Sequence, residues 1–269
     1  MVAYLMLLEV KNLNVSFKKE NQKKIFGKER QEVIKNVSLS LSKGECLGII
    51  GESGSGKSTL GKVLIGILKP DNGGVFIEEK DIYSKLTKEE RIQIKNKVSV
   101  VFQDYISSVN PRFRIISIIG EALSLKSKRD RKQINLENEV IKLLTVVGLD
   151  ESFIYRYPHE LSGGQLQRVC IARAIATNPK IILLDEAISS LDASIQVQIM
   201  DLLIELKEKY HFSYIFITHD LPSVTYMCNR VIFFYNGEIV EQIDKIEDLG
   251  NVKNEYAKKL LSSVLDLEI

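Results

Sequence analysis

Nine consecutive residues carry the clearest chemical pattern in the chain. They match G-x-x-x-x-G-K-[ST] at every fixed position and read Gly51, Glu52, Ser53, Gly54, Ser55, Gly56, Lys57, Ser58 and Thr59. Glycines let a backbone turn tightly, so that its N–H groups point at phosphate oxygens, and the helix that follows adds its positive dipole end. Lys57 can reach the outer phosphates and the Ser58 hydroxyl can ligate Mg²⁺. The pattern predicts a loop that binds a nucleoside triphosphate.

Two acidic residues further along the chain could complete such a site. Asp185 and Glu186 directly follow Ile181–Leu184, an apolar run typical of a central parallel strand. Asp185 suits holding Mg²⁺ through water, and Glu186 is placed to polarise an attacking water as a general base. The alternative is that both residues merely cap the following helix. His219 also follows an apolar run, although a lone histidine is usually just a satisfied polar group.

A second glycine-rich stretch consists of Leu161, Ser162, Gly163, Gly164 and Gln165. Ser162 can cap the helix that follows, and the two glycines leave its amide groups exposed to an anion. One phosphate loop does not need two phosphate-binding surfaces in the same chain. Two chains that face each other head to tail do need them, because each chain then seals the other's triphosphate.

Composition limits the classes of protein to consider. With 27% charged and 45% apolar residues among 269, the chain has an ordinary globular composition. A net charge of +2 is too small to indicate a nucleic-acid partner. The three cysteines lie in apolar segments without metal-ligand spacing, which predicts reduced core thiols. No apolar run approaches the ~18 residues of a membrane span, and nothing resembles a cleaved signal. If the protein serves a membrane, we expect it to do so from the cytoplasmic side, through partners.

Short apolar runs predict the strands that would hold these residues. We expect strands over Leu7–Val10, Leu13–Phe17, Val33–Leu41, Cys46–Ile50, Val75–Ile77, Val98–Phe102, Ile181–Leu184, Tyr214–Ile217, Val231–Tyr235 and Glu238–Glu241. The first three indicate a small antiparallel sheet, with the polar stretch from Lys18 to Arg30 as a long hairpin loop. The dipeptide Asn236-Gly237 predicts the tight turn of the last hairpin.

Periodic apolar spacings predict the helices. We expect them over Leu60–Leu68, Thr87–Asn96, Ile115–Leu125, Leu136–Val147, Ser194–Lys209 and Glu255–Leu267. The last of these places Tyr256, Leu260, Leu261, Val264 and Leu265 on one helix face. The basic run from Lys126 to Lys132 is expected to be a solvated connection. Together the elements predict an α/β fold with a mostly parallel sheet, an N-terminal antiparallel sheet and a helical insert.

The motifs, in this order and spacing, resemble the ATP-binding subunit of an ABC transporter, and the match covers nearly the whole chain. Gly51–Thr59 matches Walker A, Gln103 the Q-loop, Leu161–Gln165 the LSGGQ motif, Ile181–Asp185 Walker B with Glu186 as the catalytic glutamate, Ser189, Ser190, Leu191 and Asp192 the D-loop, and His219 the switch histidine. The resemblance implies that His219 contacts the γ-phosphate. It also implies Mg²⁺ at Ser58, Gln103 and Asp185.

The same resemblance implies an architecture and partners. It implies a single ABC ATP-binding domain over residues 1–269, with a helical subdomain at about 104–165 and a C-terminal helix at about 254–267. ATP and Mg²⁺ are the expected ligands. The expected partners are a second, non-identical ATP-binding subunit, two membrane permease subunits and an extracellular solute-binding protein, without nucleic acid. The protein would be peripheral, at the cytoplasmic face of the cell membrane.

Finer similarity indicates the solute class. The stretches Val101–Asp104, Ser107–Arg112, Arg156–Glu160 and Ala193–Gln198 resemble the peptide/nickel importer branch of the family. Ala187 stands where peptide ATPases usually have proline, so the chain resembles nickel-import subunits most. Import of di- or oligopeptides is the alternative.

One departure from the family concerns adenine. The aromatic that stacks on adenine is usually a tyrosine near the first strand pair. Here the candidates are Phe17 and Phe26, and we favour Phe17.

Two other classes of nucleotide-binding protein fit less well. Soluble ABC proteins of DNA repair or translation control carry long coiled-coil inserts or two tandem cassettes, and this sequence shows one phosphate loop. A GTPase switch needs a guanine-reading Asn-Lys-x-Asp segment, and Asn96–Ser99 fails at the last position. An energy-coupling ATPase is therefore the favoured interpretation.

Overall fold

A computed structural model describes residues 6–18 and 30–265 of the chain. The strands are β1 (Met6–Lys18), β2 (Arg30–Ser42), β3 (Cys46–Ile50), β4 (Asn72–Ile77), β5 (Lys80–Asp81), β6 (Val98–Phe102), β7 (Ile181–Asp185), β8 (Ser213–Thr218), β9 (Arg230–Tyr235) and β10 (Glu238–Ile243). The helices are α1 (Lys57–Leu64), α2 (Lys88–Lys95), α3 (Ile115–Asp130), α4 (Leu136–Val146), α5 (Gly163–Ile175), α6 (Ala193–Tyr210), α7 (Leu221–Met227) and α8 (Glu255–Leu265), with short 3₁₀ helices at Glu151–Phe153, Pro158–Glu160 and Ile246–Asn251.

The chain forms two compact units. The phosphate-loop unit comprises Met1–Lys95 and Ser213–Ile269, and the helical unit comprises Asn96–Phe212. The predicted fold class is confirmed, because the elements are an α/β set with an N-terminal antiparallel sheet and a helix-rich insert. The expectation of one ABC domain over residues 1–269 stays a prediction.

The antiparallel sheet of the phosphate-loop unit has the strand order β2-β1-β4-β5. Strand β1 is continuous, although the sequence predicts two separate strands over Leu7–Val10 and Leu13–Phe17. The register with β2 shifts between Val10 and Val15, and Asn12 within that stretch has a φ of 48°. A bulge explains both observations, because asparagine tolerates the left-handed conformation that an inserted residue adopts. The predicted loop between the two strands, residues 19–29, lies outside the described residues.

The second sheet of the phosphate-loop unit is built around β3. All five residues of β3 are buried, and the strand pairs in parallel with β8 on one side and β9 on the other. Strand β10 returns antiparallel to β9 through Asn236 and Gly237, whose φ values are 49° and 84°. Positive φ at both positions is what the predicted tight hairpin turn requires.

The helical unit contains one parallel strand pair, β6 with β7, together with α3 to α6. Helix α3 runs to Asp130 and ends at Arg131, whose φ is 52°. The expectation of a connection at 126–132 is therefore wrong for most of that run. Basic residues are stabilised in a last helical turn by the helix dipole, and no helix breaker precedes Arg131.

The described cysteines are buried thiols outside any disulfide, as predicted. Burial raises the pKa of the Cys170 thiol above its usual value, which keeps that thiol protonated. Cys46 and Cys228 lie 182 residues apart in sequence, yet their Sγ atoms are 3.5 Å apart. Across residues 6–18 and 30–265, no helix is both long enough and apolar enough to cross a lipid bilayer.

Candidate functional site

The glycines of the phosphate loop are required for different physical reasons. Gly54 and Gly56 have φ values of 81° and 106°, which other residues adopt only with strain. Gly51 is required by space, because a Cβ atom there would lie 2.1 Å from the carbonyl oxygen of Phe234. The structure thus explains the glycine positions of the pattern from backbone geometry alone.

Helix α1 begins directly after Gly56, which is its N-cap. Because glycine has no side chain, the N-cap residue has no side-chain oxygen that could accept a hydrogen bond from the N–H groups of the first turn. The first turn also contains no acidic side chain that would compete for them. The positive end of the helix dipole and these N–H groups therefore point at one place, which is suited to phosphate oxygens.

The lysine of the loop is buried, with only 3% of its surface exposed. Its Nζ donates to the carbonyl oxygens of Gly51, at 2.6 Å, and of Glu52, at 2.8 Å. These bonds hold the ammonium group inside the loop. The Ser55 hydroxyl is buried as well and finds no partner among the described residues. A buried cation, an unsatisfied hydroxyl and a glycine cradle together fit a polyphosphate.

The β9–β10 hairpin supports this loop from outside. The N–H of Gly237 donates to the Ser55 carbonyl at 3.0 Å, and the Gly237 carbonyl accepts from Lys35 N–H at 2.8 Å. A Cβ atom on Gly237 would lie 2.4 Å from the carbonyl oxygen of Val33. Only glycine fits this turn, so the hairpin dipeptide also serves the phosphate loop.

His219 lies at the same edge of the sheet as the loop. In the β3–β8 pair Ile50 stands opposite Thr218, so Gly51 and His219 are the next residues of adjacent parallel strands. The imidazole is exposed. Asp220 N–H donates to the Thr218 hydroxyl at 3.0 Å, which fixes the turn after β8. The phosphate-loop unit therefore brings together the predicted Walker A and switch-histidine residues.

The helical unit brings together a different set of predicted residues. Phe102 stands opposite Asp185 in the β6–β7 pair, so Gln103 and Glu186 follow at the same sheet edge. Asp185 is buried, Glu186 is half-buried and Gln103 is exposed. The first helix after the strand, α6, has Asp192 as its N-cap. The alternative that the acidic pair only caps this helix is therefore wrong.

The backbone at Glu186 is in the left-handed region, with a φ of 47°. Such a conformation persists only where neighbouring contacts hold it. The Glu186 carbonyl accepts from the Ser189 hydroxyl at 3.0 Å, and Gln167 Nε2 donates to the Ala187 carbonyl at 2.6 Å. Gln167 is fully buried on α5. The helix that follows the LSGGQ stretch therefore positions the residue next to Glu186, a contact that the sequence analysis missed.

The LSGGQ stretch forms a helix start that is capped by its own side chains, which we call the closed helix start. The Ser162 hydroxyl accepts from Gln165 N–H at 3.3 Å, and the Gln165 side chain accepts from Ser162 N–H at 2.9 Å. This reciprocal pair is a capping box, which confirms the predicted cap. Cβ atoms on Gly163 and Gly164 would lie 2.6 Å from the Tyr105 hydroxyl oxygen and 2.7 Å from Ile195 Cγ2. Close packing thus favours glycine at both positions, in addition to the predicted need to expose the amide groups of the helix.

The other predicted site residues lie in loops and strands around these elements. Leu161 is half-buried and directly precedes the capping box. The D-loop residues Ser189, Ser190, Leu191 and Asp192 connect β7 to α6, and Gln196 Nε2 donates to the Leu191 carbonyl at 2.9 Å. Phe17 lies on β1 with 42% of its surface exposed, so its ring is available for stacking. Phe26 lies outside the described residues.

The predicted ligands of Mg²⁺ can be compared with the oxygen donors that this ion prefers. In the described part of the chain, no cluster of three or more histidine, cysteine, aspartate or glutamate side chains could hold a metal ion. Ser58, Gln103 and Asp185 do offer the oxygen donors that Mg²⁺ prefers. Mg²⁺ commonly uses one or two carboxylates and completes its ligands with substrate phosphates. Each of these side chains is therefore of a type that can bind Mg²⁺ arriving with a nucleotide.

Comparison with known proteins gives a consistent result. The model of the ABC transporter family matches residues 34–189. The metal-staphylopine import system ATP-binding protein CntF of Staphylococcus aureus is 42% identical over 259 residues, which is 96% of this chain and 99% of that protein. The oligopeptide transport ATP-binding protein AppF of Bacillus subtilis is 42% identical over 233 residues, which is 87% of this chain and 70% of that protein.

Solved structures agree with the fold. The dimeric ATP-binding cassette MJ0796, in a post-hydrolysis state bound to ADP and Pi, is 30% identical with a TM-score of 0.75. That match covers 89% of this chain and 98% of the other. CbiO1 of Clostridium perfringens, part of the ABC transporter complex cbiONQ, is 26% identical with a TM-score of 0.74. That match covers 98% of this chain and 96% of the other.

Proposed function

Because the chain belongs to the ABC transporter family, as an ATPase of its importer branch, we propose that it energises the uptake of a transition metal, with nickel as the first candidate. The proposal that the solute is a metal rests on the similarity to a metal-staphylopine import protein over almost the full length of both chains. Ala187 in place of the proline of peptide ATPases supports the same choice. Import of di- or oligopeptides is the second candidate, supported by the similarity to oligopeptide transport proteins.

In this proposal, the phosphate-loop unit binds ATP. The N–H groups of the loop and of the α1 start surround the phosphates, and Lys57 exchanges its two carbonyl partners for phosphate oxygens. The exposed ring of Phe17 stacks on adenine. Ser58, Gln103 and Asp185 would hold Mg²⁺, which would neutralise charge on the outer phosphates.

Hydrolysis depends on residues at the two sheet edges. Glu186 takes a proton from the attacking water as a general base, and the Ser189 hydroxyl helps to hold its left-handed backbone. His219, which follows β8 beside the phosphate loop at the end of β3, contacts the γ-phosphate. Gln103, exposed at the end of β6, senses the γ-phosphate and the metal.

A second ATP-binding subunit completes each site. In this proposal Leu161–Gln165 serves the triphosphate of the partner chain, and the D-loop residues Ser189–Asp192 lie at the joint. The capping box supports this assignment, because it holds the Ser162 hydroxyl at the exposed start of α5, where the hydroxyl proton can still be donated to a phosphate. We propose that the partner is a non-identical ATP-binding chain, so that the pair is a heterodimer.

Transport requires permease subunits that contact this chain from the membrane. We propose that the transporter has two permease subunits and that a loop of one of them docks on the helical unit, where Ile106 and Phe113 follow Gln103 with 62% and 38% of their surfaces exposed. Exposed apolar side chains of this kind are common at binding surfaces. The chain itself then lies at the cytoplasmic face of the membrane, and an extracellular solute-binding protein delivers the solute to the permeases.

The test of the solute is uptake in cells that carry Lys57→Ala in place of the wild-type chain. Radioactive nickel and a labelled dipeptide are supplied in parallel, and a deletion strain sets the baseline. We expect nickel uptake to fall to the deletion level while dipeptide uptake stays normal. The reverse pattern would assign the chain to peptide import and would refute the metal proposal.

A further inference from the structure

The C-terminal helix contacts the phosphate loop through one tyrosine. The backbone N–H of Glu52 donates to the Tyr256 hydroxyl oxygen at 2.8 Å, across 204 residues of sequence. The carbonyl of the same residue accepts from Lys57 Nζ at 2.8 Å and from Ser55 N–H at 3.3 Å. Both polar groups of the Glu52 backbone are thus held, one of them by a residue outside every nucleotide-binding motif.

Tyr256 is itself held in place from several sides. The Glu241 carboxylate on β10 accepts from the N–H groups of Lys253 at 2.7 Å and Asn254 at 2.8 Å, which anchors the start of α8. The Asn254 side chain accepts from Tyr256 N–H at 2.9 Å. The Tyr256 ring packs on Tyr235 with ring centres 4.3 Å apart. The hydroxyl therefore has a defined position relative to the loop.

We propose that Tyr256 is a positioning residue for ATP binding, which keeps the first turn of the phosphate loop in the conformation that receives the phosphates. Glu52 is exposed, so without Tyr256 its N–H would bond to water and the loop could leave this conformation. A ligand that binds only one conformation loses apparent affinity in proportion to the population of that conformation. The ordinary pKa of a phenol lies well above physiological pH and burial raises the pKa of Tyr256 further, so the phenol stays neutral.

The test removes a single oxygen atom. Tyr256→Phe keeps the ring on Tyr235 and deletes the acceptor of the Glu52 N–H, while Tyr235→Phe is the matched control on the other ring of the pair. A fluorescent ATP analogue is titrated into the purified full chain, with unlabelled ATP as competitor. We expect the Kd of Tyr256→Phe to rise about three- to tenfold, the factor that one lost hydrogen bond gives, and that of Tyr235→Phe to stay within about twofold.

In the assembled transporter, the KM for ATP of Tyr256→Phe should rise while kcat stays near the wild-type value. A merely structural role would lower the melting temperature without this split. If Tyr256→Phe fails to fold, two other measurements decide. Glu241→Ala, which loosens the start of α8, should raise the Kd in the same direction. Amide hydrogen exchange of wild-type Glu52 should be slower than that of Ser53.

Wild-type affinity in Tyr256→Phe, equal losses in both tyrosine variants, or fast exchange at Glu52 would overturn the inference. The inference rests on ATP binding by the loop and is independent of the solute. Lys57→Ala separates the two failures: if that variant also binds as wild type, the loop assignment itself is wrong. If Lys57→Ala loses affinity and Tyr256→Phe does not, only the role of Tyr256 is refuted.

Discussion

Two helices of this protein begin with glycine-rich sequences, and their first turns are built in opposite ways. Helix α1 starts after Gly56, which has no side chain to offer its N–H groups and has a φ of 106°. Helix α5 starts after Ser162, whose hydroxyl already accepts from the helix through a capping box. The N-cap of the first start has no side-chain acceptor for the helix N–H groups, whereas the N-cap of the second start already accepts one of them.

The glycines differ in the same way. In the phosphate loop they provide left-handed backbone and close approach to other backbone atoms, as at Gly51 beside the Phe234 carbonyl. In the LSGGQ stretch they leave room for the side chains of Tyr105 and Ile195. Similar composition thus gives one helix start that is suited to phosphate oxygens and one whose first turn is capped by its own serine. The comparison predicts that binding and hydrolysis can be separated by mutation of the two units.

The largest effect is expected in the helical unit. Glu186→Gln keeps the shape of the side chain but cannot take a proton, so hydrolysis should slow by about 10²–10⁴-fold while ATP affinity stays unchanged. The measurements are phosphate release by the assembled transporter and nucleotide titration of the isolated chain. A hydrolysis rate within twofold of wild type would move the general base to another residue, with His219 next to be tested.

A smaller effect is expected in the phosphate-loop unit. Lys57→Ala removes the buried ammonium group, and charge-assisted hydrogen bonds are worth ~1.5–3 kcal/mol each, so ATP affinity should fall at least about tenfold. Lys62→Ala is the control, because Lys62 is an exposed lysine in the last turn of the same helix. Equal ATP affinities of the two variants would contradict the assignment of Lys57 and the phosphate loop to ATP binding.

The smallest effect is expected at the closed helix start. Ser162→Ala deletes the cap, which typically costs ~1 kcal/mol of stability, while the ATP affinity of the isolated chain should stay within about twofold. Chemical denaturation measures the first quantity and titration the second. A loss of affinity as large as that of Lys57→Ala would show that both helix starts serve the same triphosphate, and the two-chain arrangement would be wrong.

The sequence alone determined the local structures and the family. The phosphate loop, the five residues of β3 and of β6, and the positive φ values at Asn236 and Gly237 follow from patterns within a few residues, because sterics and apolar periodicity act locally. The capping box at Ser162 was predictable for the same reason. Boundaries were less certain, as the last turn of α3 shows, since the helix dipole tolerates the basic residues that suggested a connection.

The tertiary structure decided which distant residues support the site. No local pattern connects Glu52 with Tyr256, Gln167 with the Ala187 carbonyl, or Cys46 with Cys228. Each pair joins residues far apart in the chain, and such contacts arise only when strands and helices pack in a particular order. In the sequence Tyr256 was one apolar position of an amphipathic helix. Its hydroxyl acquired a partner only because folding brings α8 to a backbone N–H of the phosphate loop, and a backbone group has no sequence signature.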